Sequence, residues 1–201
     1  MRTAILSIFC FSLLSAQPAR AAPAEKESTY EIEVVVFENR QPDLIGDELL
    51  MRDAVQAKIR GLEDAITPDK AENSPTLSPA ITSLLEQDGR YRVLTHLHWV
   101  QTVDAKSVAK PVRVASVKPE DKPEELEGSI RFYMSRHLHL DVNLLFRETL
   151  TVAGSGPRTE VYRLSEQRKL KSQETHYFDH PKFGVLARVM PVEKEKTNEK
   201  K

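Results

Sequence analysis

The chain has 201 residues, 29 Lys and Arg against 30 Asp and Glu, and one cysteine. A net charge of −1 supplies no global basic field, which argues against nucleic acid as a general partner; any anion site must be local. Cys10 on its own rules out an intramolecular disulfide framework and a thiolate metal cluster.

Residues 1–21 read as an export signal: Arg2 gives the positive start, residues 4–16 are apolar, and Ala19-Arg20-Ala21 is a small-x-small site predicting cleavage after Ala21. Phe9 before Cys10 does not fit lipidation. Removing Arg2 and Arg20 leaves 27 cations against 30 carboxylates. Nothing later approaches the ~20 apolar residues of a membrane helix, so no membrane span is expected in the mature chain. The expected location is periplasmic.

Residues 22–29 are a charged leader, 30–192 a single domain with an insertion around 38–78, and 193–201 a polar tail expected to be disordered. The run YEIEVVVF (30–37) alternates and then becomes apolar on both faces, a first strand. Between Asp47 and Ile66, apolar residues at spacings of three to five, with Gly61 as a flaw, fit either a core-packed amphipathic helix or a mobile insertion. A second helix is signalled by Ser78 as N-cap, Pro79 at the first position, the stripe Ile81, Leu84, Leu85, and Gly89 as stop.

Strands follow at 91–103, 110–117, 128–133 and 136–145, with a charged connection at 118–127 and a flexible turn at 153–158. From Val161 to Val192 the pattern predicts a strand, a turn at Asp179-His180-Pro181, and a closing strand in which Gly184 marks a bulge or a close backbone approach. The expected fold class is α+β: a mainly antiparallel sheet of about six or seven strands backed by one or two helices.

All six histidines follow the signal. His96 and His98 share one strand face, as do His137, His139 and Asp141, so adjacent pairing of those strands would permit a Zn²⁺ or Cu²⁺ site; the alternative is a polar face with no metal. Catalytic patterns fail. Ser107-x-x-Lys110 lies before Pro111 in extended chain and lacks its partner motifs, while Gly154-Ser155-Gly156 lacks the third glycine and the helix of a phosphate loop. An exposed carboxylate run at Glu120, Glu124, Glu125 and Glu127 cannot raise the pKa of a glycosidase acid. No enzyme and no cofactor are expected.

Four stretches carry a resemblance: YEIEVVVF (30–37), YRVLTHLHWVQ (91–101), EGSIRF (127–132) with LHLDVNL (138–144), and QRKLKSQETHYFDHPKFG (167–184). Together they resemble the CsiV family, exported peptidoglycan-binding proteins of Gram-negative bacteria. Ahead of the His-Tyr run the family favours two arginines and a glycine, where this chain has Arg168-Lys169 and Gln173. The resemblance implies a non-catalytic binder of peptidoglycan supporting wall assembly and cell shape. Adaptor docking to a peptidoglycan synthase or its activator, or metal binding through the histidines, is the alternative.

Chemistry selects the candidate contacts. Trp99 and Tyr177 offer ring faces for sugars; Arg168, Lys169, Lys171 and His176 suit stem-peptide carboxylates, with Asp179 and His180 beside them. These residues are expected to form one surface around the last hairpin.

Overall fold

Nine strands and one helix are present among the residues described by the computed structural model, which are 28–42, 52–53, 57–68, 71, 76–116, 126–152, 154 and 156–192. The expected export signal, most of the leader and the tail at 193–201 lie outside them. No helix among the described residues is long and apolar enough to cross a membrane.

The elements form two antiparallel sheets. The first, in the order β3 (Tyr91–Thr102), β1 (Thr29–Asn39), β9 (Phe183–Pro191), β8 (Thr175–His180), has β1 at its centre. The second runs β2 (Arg52–Asp53), β7 (Gly156–Leu170), β6 (Leu138–Val152), β5 (Leu126–Met134), β4 (Val112–Ala115), a meander whose long β6–β7 pair is its backbone. Alternation directs Ile32, Val34, Val36, Trp99, Val185 and Val189 of one sheet against Ile130, Phe132, Leu140, Leu144 and Phe146 of the other, in one shared core. Each such side chain contributes on the order of 1.5–3 kcal/mol by leaving water. Val35 is buried on the opposite face of β1, so this strand is covered on both sides.

The antiparallel sheet expectation holds, but the α+β balance does not. The molecule is largely β, with more strands than the six or seven expected. The extra strands are β2 and β8. The one helix, α1 (Ser78–Glu86), buries none of its residues and does not back a sheet as a layer. Leu77 stands at the N-cap position in place of Ser78, and no side chain within the helix caps it. Glu33 of β1 instead anchors the segment leading into the helix: its Oε2 accepts from the Thr76 and Leu77 N–H groups at 2.7 and 2.9 Å and from the Thr76 hydroxyl, while His96 Nε2 lies 2.8 Å from Oε1. Burial pushes the Glu33 carboxyl up, yet these hydrogen bonds outweigh it and hold the group below the usual carboxylate range.

The helix that the spacing between Asp47 and Ile66 allows is also absent among its described residues. Arg52–Asp53 pair with Val161 and Tyr162 of β7, and residues 57–66 run as a strap of turns across the outer face of the second sheet. Its apolar residues serve another purpose: Ile59 packs on Leu145 and Val161, joined by Ala57 and Leu62. Arg147 donates to the Ala57 carbonyl at 2.9 Å, and Ile66 bridges Val112, its N–H on the Pro111 carbonyl and its carbonyl taking the Arg113 N–H. The strap thereby ends at the β4 edge.

Candidate functional site

Strand register builds a polar floor on the outer face of the second sheet. Ser129, Asn143 and Ser165 stand opposite one another across β5, β6 and β7; the next row is Arg131, Asp141, Gln167, and the one after is Tyr133, His139, Lys169. Residues two apart on each strand share this face, so three strands with short connections yield one polar surface. The strap at 60–66 and the segment at 109–111, joined where Ile66 bonds Pro111, border this floor. Together they line a cleft of about 1040 Å³.

Short side chains in the Ser129 row give the cleft its depth. The second row is locked: Arg131 Nη2 pairs with Asp141 Oδ2 at 2.7 Å, the Tyr133 hydroxyl donates to Asp141 Oδ1 at 3.1 Å, and Gln167 Nε2 donates to the Tyr133 oxygen. Tyr133 in turn stacks on His139, with ring centroids 5.3 Å apart. Arg60, Glu63, Asp64 and Lys110 line the same cleft and are engaged in no hydrogen bond or ion pair among the described residues. A preformed concavity with fixed polar groups and unengaged charges suits a polar, hydrogen-bonding ligand.

The last hairpin is organised differently from the expectation. Trp99 is 1% exposed, its indole N–H donating to Gln101 Oε1 at 3.1 Å, and it offers no ring face to a sugar. The inner face of β3 takes it into the core. His180 is 5% exposed, wedged between the Tyr162 and Phe183 rings, with Nδ1 accepting the Lys182 N–H, so it is not presented at the surface. Both correct the sequence reading.

The cations part company as well. Arg168 turns toward the first sheet, bonds Glu166, donates to the Tyr177 carbonyl and lies 4.9 Å from the centre of the Phe178 ring, tying β7 to β8. Lys169 points the other way, opposite His139 on the polar face. Lys171 is exposed in the turn and pairs with Glu174 at 3.3 Å, while His176 Nε2 sits 3.1–3.2 Å from the Lys171 backbone groups. Period-two alternation sends neighbours to opposite faces, so Arg168 and Lys169 cannot share a surface.

Tyr177 and Asp179 remain accessible on the outer face of the first sheet. The Tyr177 hydroxyl donates to Asp179 Oδ1 at 2.6 Å; burial, that hydrogen bond and the charge of Asp179 hold the phenol above its ordinary pKa. Its ring lies parallel to Phe37 over Gly184, where a Cβ would stand 2.7 Å from both rings. Gly184 is thus the close approach that the sequence signalled.

The two histidine pairs do not meet. His96 and His98 contact Glu33 and Glu31 on the first sheet, His139 lies on the outer face of the second, and the core separates them. Among the described residues no three His, Cys, Asp or Glu side chains are grouped to hold a metal ion.

The cleft residues were missed because they span more than a hundred positions. The signal was present in the alternating polar residues of 129–133, 139–143 and 163–169, which share one face once these strands are paired as a meander.

No curated protein and no solved structure matches the chain. A family model described as "Peptidoglycan-binding protein, CsiV" matches residues 61–192, a span that includes every cleft residue except Arg60. The chain belongs to the CsiV family.

Proposed function

We propose that this protein binds peptidoglycan without catalysis, in the periplasm after cleavage behind Ala21, in support of wall assembly and cell shape, and that the cleft on the second sheet is its contact surface. The observation that carries the reading is the cleft floor of Ser129, Asn143 and Ser165, bordered by the joined strap and 109–111 segment, within the span matched by the family model. Peptidoglycan presents hydroxyls, amides and carboxylates, each of which can exchange hydrogen bonds with such a floor.

Co-sedimentation with purified sacculi tests this. Ser165→Trp fills the cleft from an exposed position and is expected to lower retention by about tenfold, the equivalent of 1.4 kcal/mol. Lys171→Ala, in the exposed β7–β8 turn outside the polar floor, is expected to leave retention unchanged. Wild-type protein remaining in the supernatant would overturn the reading; a Ser165→Trp variant retained like wild type would remove the cleft from it.

A further inference from the structure

We propose that the cleft recognises a zwitterionic peptide, so that within peptidoglycan it takes the stem peptide and not the glycan strand. The inference rests on the peptidoglycan reading above and adds which part of the polymer is bound.

Charge is the first observation. Arg60 and Lys110 are cations of the cleft lining, Glu63 and Asp64 are anions of it, and all four are unengaged among the described residues. The Arg131–Asp141 pair, by contrast, is closed on itself at 2.7 Å. Isolated surface charges are ordinarily just solvated. Here both signs line one concavity, where field lines concentrate between low-dielectric walls. A ligand of one sign would meet repulsion from two of these four charges; a ligand carrying a carboxylate and an ammonium group meets a partner for each.

The second observation is what the lining lacks. Phe, Tyr and Trp are all absent from it, so the cleft has no ring face of the kind that stacks on the apolar side of a sugar. Its floor is made of hydroxyls and carboxamides, which suit the N–H and C=O groups of a peptide backbone. Stem peptides combine free carboxylates with a free amine wherever they are not cross-linked. The glycan strand stripped by an amidase keeps the lactyl carboxylate freed on each muramic acid but has no amine, so it is a ligand of one sign.

The experiment compares three materials using the protein lacking residues 1–21: intact sacculi, glycan strands stripped of their stems by an amidase and immobilised on beads, and the released stem peptides in solution. Retention on intact sacculi is expected, with about tenfold weaker binding to bare glycan. Released stem peptides are expected to compete, and to compete less well once both their amines, the one present in the sacculus and the α-amine exposed by the amidase, are acetylated. Lys110→Gln and Glu63→Gln/Asp64→Asn should each weaken stem-peptide binding by about three- to tenfold. Bare glycan held as firmly as intact sacculi would overturn the stem-peptide inference while leaving peptidoglycan binding in place. Acetylated peptide competing as well as free peptide would overturn the ammonium half. Failure to bind intact sacculi would overturn the underlying function itself.

Discussion

His180 shows how a residue chosen for its chemistry can be held for its shape. Its ring centroid lies 5.0 Å from Phe183 and 5.8 Å from Tyr162, and its Nδ1 accepts the Lys182 N–H at 3.1 Å. Burial lowers its pKa from 6.5 to about 4; the charge of Lys182 acts in the same direction and Asp179 opposes both. A depressed histidine favours the neutral folded form, so its contribution is complete above 6.5 and is lost as pH falls toward 4, while the unfolded chain takes up the proton. Glu33 also weakens the fold in acid, but its loss begins only below the ordinary carboxyl value of 4.5. Between these limits His180 acts alone of the two, and linkage at 1.36 kcal/mol per unit gives about 2 to 3 kcal/mol. His180→Asn keeps an acceptor and removes the titration. Urea unfolding at pH 7 and pH 4.5 is expected to show wild type losing that amount and the variant losing less than half of it. Equal losses would assign the titration to another group.

The β7–β8 connection carries the corresponding argument for an element. Gln173 has φ 70°, the left-handed region, and its N–H donates to the Val189 carbonyl at 2.8 Å, so the turn is pinned to β9 in a conformation that suits glycine. The resemblance implies a glycine here, where this chain has Gln173. Left-handed geometry costs a non-glycine residue about 1–2 kcal/mol, and glycine returns part of that through a more flexible unfolded chain, for a net gain of about 0.5–1 kcal/mol. Gln173→Gly is therefore expected to raise the denaturation midpoint; a lower midpoint would show that the glutamine is not strained. The same hairpin marks where sequence ceased to be a guide. β1, β3, β5, β6 and β9 were legible because apolar residues alternate along them. β8 was not, because its inward residues include His176 and His180, and Asp179-His180-Pro181 has turn chemistry although the turn itself is Pro181–Lys182. Residues 57–66 carried helical spacing because a strap lying on a sheet also needs intermittent apolar anchors, here Ile59 and Leu62. The cleft depends on register between strands, which no single stretch of sequence contains.

At the scale of the molecule, the two sheets divide the work. Their inner faces share one apolar cluster, while the outer face of the second sheet bears the polar rows and the strap, so the cleft can present charge without opening the core. If this core is one body, damage on either sheet should be felt by the other. Trp99 is the only tryptophan and lies in the first sheet, whereas Leu140, fully buried, lies in the second. Leu140→Ala deletes buried methyl groups and leaves a cavity, costing about 2–5 kcal/mol. The expected outcome is that Trp99 fluorescence and far-ultraviolet circular dichroism report the same lowered midpoint, because a two-state domain gives coincident transitions for every probe. A circular dichroism transition that falls while the Trp99 transition stays at its wild-type position would show that the sheets unfold separately, and the cleft-bearing sheet would then have to be treated as a unit with its own stability.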